Sequence, residues 1–221
     1  MQKERTKKIV VLAMLSAVAF VVAALCTYLP AIMPAARFLN LDFKDTIIVI
    51  VGFIYGPLAA IAVTALVALI EMCTVSPDGI IGFVMNILST GAFTCVASSI
   101  YRKYRNMPGA GVGLCSGVIV MTGLMVLWNY TMTPIYMHVD REIVTGMLVP
   151  VFLPFNLLKG SLNAAIALSL YKPLTTALRK AKLMPPAKSK GKFSVWLGTA
   201  LISAVIIATC VLIILVINGK I

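Results

Sequence analysis

The hexapeptide Gly52-Phe53-Ile54-Tyr55-Gly56-Pro57 interrupts an apolar segment that extends from residue 46 to residue 72. Glycine permits a tight turn, and proline both ends a preceding helix and suits the first turn of the next one. The hexapeptide predicts two short helices, at about 39–55 and 57–73, instead of the single long helix that the apolar segment alone would give.

The distribution of charge supports two helices rather than one. Fourteen of the nineteen basic residues fall in three clusters, at residues 3–8, 102–105 and 172–192. Short loops rich in Lys and Arg remain on the cytoplasmic side of a membrane. If 46–72 crossed once, the second and third clusters would lie on the side opposite the first, whereas two crossings place all three in the cytoplasm. The loops that are then external carry most of the acidic residues: 30–45, 74–79 and 134–147.

The composition is that of an integral membrane protein. Of the 221 residues, 61% are hydrophobic and 12% are charged, and the mean hydropathy is +1.02. Five further apolar stretches are long enough to cross a bilayer as helices: 9–29, 80–101, 110–133, 148–171 and 193–217. We predict an all-α, polytopic protein of the cell membrane. Because the basic residues flank these stretches, the net charge of +12 indicates contacts with the lipid bilayer and no binding of nucleic acid.

The chain divides into three predicted parts. Residues 1–181 form a six-helix membrane domain, 182–192 form a basic linker that contains prolines, and 193–221 carry an additional transmembrane helix. The stretch 9–29 exceeds the apolar core of a signal peptide, so we expect a retained first helix. The N-terminus is then cytoplasmic, and the C-terminus is external if the last helix spans the bilayer.

The sequence lacks the residue patterns that zinc binding, disulfide cross-linking and nucleotide binding require. The five cysteines show no C-x-x-C spacing and His138 is the only histidine, so neither a zinc site nor a disulfide framework is indicated. No G-x-x-x-x-G-K-[ST] loop is present to bind nucleotide phosphates. We expect no cofactor and no enzymatic activity. A membrane scaffold is an alternative, and it predicts that the purified protein carries no ligand.

Several polar side chains lie at a similar depth in the external half of the predicted spans. Ionisable and amide groups are costly in hydrocarbon, so they usually face a cavity or the interior of a bundle. Asn156 and Lys159 are three residues apart and therefore share one helix face. The pattern predicts one outward-opening pocket that collects the polar groups of this set: Asp42, Asp45, Asn86, Asn129, Asn156, Lys159 and Asn163.

A structural role is the alternative for some of these groups. A single amide such as Asn86 or Asn163 commonly bridges to a neighbouring backbone, and a lysine near a helix end can extend to the headgroups. Lys159 lies about 11 residues beyond the predicted helix start at 148, which favours a ligand contact. Trp128 and Tyr130 are typical of a membrane interface, but they would also suit a flat aromatic ligand.

The first helix carries a small-x-x-x-small pair, Ala13 and Ala17, in its cytoplasmic half. Such spacing lets another helix approach closely. It also occurs by chance in alanine-rich helices, so the pair is a hypothesis for a docking face.

At these positions the chain resembles the riboflavin-specific substrate-binding (S) components of energy-coupling factor (ECF) vitamin transporters. The resemblance covers about residues 5–180. It is carried by Ala13 and Ala17 and by four longer elements: Phe38-Leu-Asn-Leu-Asp-Phe-Lys-Asp45, Gly52-Phe-Ile-Tyr-Gly-Pro57, Trp128-Asn-Tyr130 and Pro154-Phe-Asn-Leu-Leu-Lys-Gly160. The Leu-x-Phe-x-Asp and Pro-Phe-Asn-x-x-Lys-Gly patterns together are specific, whereas the alanine pair is shared among S components for many vitamins.

The resemblance implies a six-helix bundle that captures riboflavin from outside the cell. It implies that Asn129, Asn156 and Lys159 line the flavin site, and Leu41 of the first element joins the predicted substrate-binding residues. The alanine pair would dock onto a transmembrane coupling protein that is bound to two ATP-binding-cassette ATPases. The helix 193–217 departs from the six-helix pattern. An S component for a different vitamin or a flavin analogue is the alternative.

Overall fold

The computed structural model describes residues 2–29, 39–183 and 193–217, most of which are helical. In these ranges the helices are α1 (Gln2–Cys26), α2 (Lys44–Tyr55), α3 (Pro57–Thr74), α4 (Gly79–Tyr104), α5 (Met107–Met137), α6 (Arg141–Met147), α7 (Leu153–Lys180) and α8 (Phe193–Ile217). Most of the predicted external loop 30–45 and most of the predicted linker 182–192 lie outside the described residues.

The predicted break at Gly56 is confirmed. Helix α2 ends at Tyr55 and α3 begins at Pro57. Gly56 has φ +93, a conformation that residues with a Cβ rarely adopt. Its N–H donates to the carbonyl of Gly52 at 2.8 Å, which closes the end of α2.

Helix α2 begins at Lys44 rather than near residue 39, so the sequence prediction placed its start too early. The backbone N–H of Lys44 donates to Asp42 Oδ1 at 2.9 Å. An aspartate side chain that bonds to the backbone two residues later favours a turn over a helix. This local bond keeps the preceding residues out of the helix.

The predicted helix 148–171 is part of a much longer one. Helix α6 runs through a π-helical turn, Leu148–Phe152, directly into α7. Two prolines, Pro150 and Pro154, lack the N–H that an α-helix would need. The turn accommodates them, because the N–H of Leu153 reaches back five residues to the carbonyl of Leu148. The apolar stretch marked the part of the helix suited to the membrane rather than its ends.

Six helical segments among the described residues are long and apolar enough to cross a membrane: 4–26, 57–74, 79–104, 107–137, 141–180 and 198–217. Helix α2 is not one of them. With 12 residues it extends over about 18 Å, less than the hydrocarbon thickness of about 30 Å.

The bundle is held by close helix packing. Helices α4 and α5 approach at Gly113, where an added Cβ would lie 2.6 Å from the carbonyl oxygen of Ala97. A buried cluster that includes Val49, Phe93 and Met121 joins α2, α4 and α5. This packing sets the positions of the helix ends that surround the site.

Helix α8 packs against the rest of the bundle through one side. Cys210 is 6% exposed and belongs to a cluster with Leu39, Leu41, Phe155 and Leu158. The additional helix therefore contacts α7 and the segment that leads into α2.

Candidate ligand-binding site

A cavity of about 120 Å³ lies between the end of α1, α3, α4, α5, α7 and residues 39–44. One water needs only about 10–15 Å³ of such space, so the cavity admits a considerably larger ligand. Six of the predicted site residues line it: Leu41, Asp42, Asn86, Asn129, Asn156 and Lys159. These six residues come from four separate parts of the chain.

A buried charge network forms one side of the cavity. Lys44 is 2% exposed, and its ammonium forms ion pairs with Asp42 and with Glu71, whose Oε2 lies 2.8 Å from Nζ. Asn86 donates to the same Glu71 oxygen at 3.0 Å. These contacts connect the start of α2 with α3 and α4.

The state of Asp42 follows from this network. Burial raises the pKa of the Asp42 carboxyl, but the positive charges of Lys44 and Lys159 outweigh burial and leave the pKa below its usual value. Asp42 is therefore ionised at neutral pH and remains a partner for Lys44.

Lys159 extends into the cavity from α7, supported by Asp45. Lys159 Nζ lies 3.8 Å from Asp45 Oδ2, and Lys159 is 8% exposed. Asp45 accepts a hydrogen bond of 2.6 Å from Thr90 Oγ1 through its other oxygen. Asp45 is 1% exposed and is not among the residues that line the cavity. Its carboxylate therefore balances the charge of Lys159 from outside the cavity.

Asn163 has a structural role, which was the alternative to ligand binding. Its Oδ1 accepts from the backbone N–H of Thr46 at 2.9 Å and from the Thr46 hydroxyl at 2.8 Å. Its Nδ2 donates to the carbonyl of Asp42 at 2.8 Å and to that of Lys159 at 3.0 Å. Three of these bonds hold Thr46 and Asp42, at the start of α2 and just before it, against α7, whereas the bond to Lys159 lies within α7. The structure does not bring Asn163 to the cavity.

Asn129 and Asn156 line the cavity with part of their hydrogen-bonding capacity in use. Asn129 Nδ2 donates to the carbonyl of Met125 at 2.7 Å, and its Oδ1 accepts from Thr133 at 2.8 Å. Asn156 Nδ2 donates to the carbonyl of Phe152 at 2.8 Å. An amide has two donor hydrogens and two acceptor lone pairs, so each side chain retains capacity for a ligand.

The two predicted aromatic residues lie outside the main cavity. Trp128 lines a small adjoining pocket together with Asp78, Asn129 and Tyr136. Tyr130 is 38% exposed, with the guanidinium of Arg141 5.4 Å from its ring centroid. Both residues are direct neighbours of Asn129 on α5, so their side chains leave the helix in different directions from that of Asn129.

Sequence reasoning missed Lys44 and Glu71. Glu71 lies inside α3 and is 4% exposed, and it was not among the predicted site residues. The available signal was its position within the apolar segment 46–72, where an unpaired carboxylate would be costly. Its partner lies 27 residues away and follows only from the arrangement of α2 and α3.

The alanine pair of α1 faces outward from the bundle. Ala13 and Ala17 are both exposed, whereas Val11, Leu15 and Ala19 are buried against α2 and α3. The exposed side of α1 therefore presents this pair next to larger apolar residues such as Met14 and Val18, without a covering helix among the described residues.

The sequence pattern of the family "ECF transporter, substrate-specific component" matches residues 7–171, which span most of the chain. The protein belongs to this family. The riboflavin transporter FmnP of Bacillus subtilis (strain 168) is 33% identical over 166 residues, 71% of this chain and 85% of that protein. The riboflavin transporter RibU of Staphylococcus aureus (strain TCH60) is 29% identical over 183 residues, 80% of this chain and 95% of that protein.

A solved S component of a bacterial ECF transporter has the same fold. It is 30% identical with a TM-score of 0.65, and the match covers 79% of this chain and 98% of that one. The predicted S-component fold is confirmed, and the protein is a multi-pass membrane protein that serves as the substrate-binding subunit of a transporter. Helix α8 lies beyond the residues matched by the family pattern.

Proposed function

We propose that this S component binds riboflavin in the cavity beside α7 and delivers it to an ECF transporter complex for uptake. The observation that carries the proposal is the convergence of Asn129, Asn156 and Lys159 on one cavity in a chain whose relatives are named riboflavin transporters. Riboflavin is then the transported ligand rather than a cofactor.

The chemistry of the cavity suits a neutral ligand that is rich in polar groups. Asn129, Asn156 and Lys159 supply donors for the carbonyl and ring-nitrogen acceptors of a flavin, and the amide oxygens can accept from hydroxyl groups. Leu41 and Phe155 provide apolar surface on the same cavity. This combination of apolar walls and a few placed polar groups is typical of small-molecule sites.

The distribution of charge supports one orientation in the membrane. With the N-terminus and the basic clusters in the cytoplasm, the cavity lies toward the external side, and the C-terminus is external if α8 spans the bilayer. This places the riboflavin site where it can receive the vitamin from outside the cell.

The coupling partners are proposed from the family and from α1. The exposed Ala13 and Ala17 permit close approach of a transmembrane coupling protein, and two ATP-binding-cassette ATPases bound to that protein would hydrolyse ATP. The S component itself would carry no ATPase activity.

Uptake of labelled riboflavin by proteoliposomes tests this function. Vesicles that contain the S component, the coupling protein, both ATPases and internal ATP should accumulate riboflavin, and vesicles without the S component should not. Equal uptake by both preparations would contradict the proposal. Labelled thiamine and biotin test the alternative of a different vitamin, and we expect no accumulation of either.

A further inference from the structure

We propose that Glu71 determines ligand specificity by accepting a hydrogen bond from the bound ligand through Oε1. This inference rests on the proposed function, because it concerns the same cavity. Neither the family resemblance nor the polar pattern of the spans singled out Glu71.

The two oxygens of the Glu71 carboxylate differ in their surroundings. Oε2 accepts from Lys44 Nζ at 2.8 Å and from Asn86 Nδ2 at 3.0 Å. Oε1 is buried and has no hydrogen-bond partner within residues 2–29, 39–183 and 193–217. Both available protein donors are therefore directed to the same oxygen.

An acceptor that is buried without a donor is unfavourable, and more so when it carries charge. Glu71 lines the cavity and is 4% exposed, so a ligand in the cavity is the nearest source of a further donor. The orientation of the carboxylate is already held by Lys44 and Asn86. A ligand donor would thus meet an acceptor that needs little reorganisation.

The net charge of this region favours a donor over an anion. Three carboxylates face two ammonium groups in the network: Asp42, Asp45 and Glu71 with Lys44 and Lys159. A ligand hydroxyl or N–H would complement the excess of acceptors, whereas a ligand oxyanion at Glu71 would be repelled. Riboflavin offers both kinds of donor, in the hydroxyls of its ribityl chain and in the imide N–H of its ring.

A double-mutant cycle between the protein and the ligand tests the proposal. Dissociation constants are measured for the wild type and Glu71→Gln with riboflavin, with lumiflavin, which lacks the ribityl hydroxyls, and with 3-methylriboflavin, which lacks the imide N–H. Glu71→Gln should weaken riboflavin binding by about 10- to 100-fold, the range for a hydrogen bond to a charged group. The effect should disappear with the analogue that lacks the donor to Glu71, which identifies that donor.

Two further variants keep the test decisive. Glu142→Gln is the matched control, because Glu142 is exposed on α6, and it should bind all three ligands as the wild type does. Glu71→Asp retains the charge next to Lys44 but shortens the side chain, and it carries the same cycle if Glu71→Gln fails to fold.

The outcomes separate this inference from the proposed function. If the wild type binds riboflavin and the Glu71 variants weaken none of the ligands, or weaken all three equally, the assignment of Glu71 is overturned and the function stands. If the wild type binds no flavin, the proposed function fails, and the inference fails with it.

Discussion

Lys44 and Glu71 form a buried ion pair, 2.8 Å between Nζ and Oε2, that joins the first turn of α2 to the last turns of α3. The two helices leave Gly56 in different directions, and the pair bridges them at the ends remote from that hinge. Their side chains are 3% and 5% exposed. The pair therefore combines a structural role with a place in the lining of the cavity.

Lys44→Met should lower the free energy of unfolding by about 3–5 kcal/mol, because it leaves the carboxylates of Asp42 and Glu71 buried without their cation. Thermal unfolding in detergent measures the effect. Lys7→Met is the matched control, since Lys7 pairs with Glu4 on an exposed surface at 3.5 Å and such pairs contribute little. Equal melting temperatures for the two variants would contradict this role of Lys44.

Asn163→Ala and Asn156→Ala should separate stability from binding. Asn163 makes three hydrogen bonds that hold Asp42 and Thr46 to α7, so its loss should lower the melting temperature of the ligand-free protein by several degrees. Asn156 makes a single bond within its own helix and lines the cavity, so its loss should weaken riboflavin binding with a smaller effect on melting. The reverse assignment of the two effects would refute this division.

Ala13→Trp or Ala17→Trp should block riboflavin uptake by the assembled transporter without changing riboflavin affinity. The indole ring would prevent close approach of the coupling protein to α1. Ile119→Trp is the control, because Ile119 is 68% exposed on α5 and lies on another helix. Normal uptake by both alanine variants would show that this side of α1 is not the docking face.

Removal of α8 by truncation after Leu183 should weaken riboflavin binding and lower the melting temperature. Cys210 packs with Leu39, Leu41 and Phe155, and these three residues also line the cavity. Loss of that packing removes support from the cavity wall. A truncated chain with unchanged riboflavin affinity and stability would show that α8 does not support the site.

The helical architecture could be predicted because its signals are local. The Gly56-Pro57 pair determined the break between α2 and α3, and the lengths of the apolar stretches indicated the other helices. The start of α2 could not be placed, since it depends on the bond between Asp42 and the N–H of Lys44. The extension of α7 toward Arg141 was missed because Arg141, Glu142, Thr145 and Gly146 interrupt the apolar pattern and resemble a loop.

The composition of the cavity was only partly accessible to sequence reasoning. Asn156 and Lys159 share a helix face, so their common position followed from helical periodicity. Asn156 lines the cavity whereas Asn163 bonds to the start of α2, because different groups lie opposite the two side chains. That difference depends on how α2 packs against α7. Glu71 was missed for the same reason, because a buried carboxylate is identified by a partner that is distant in sequence.

An equilibrium titration of the purified full-length protein with riboflavin is the most direct test of the central claim. We expect quenching of the flavin fluorescence and a Kd near 1 nM, equivalent to about 12 kcal/mol. The Lys159→Ala variant should bind riboflavin more weakly, and the wild-type protein should bind neither thiamine nor biotin. Protein that neither quenches riboflavin fluorescence nor gains thermal stability from riboflavin would contradict the assignment of this cavity.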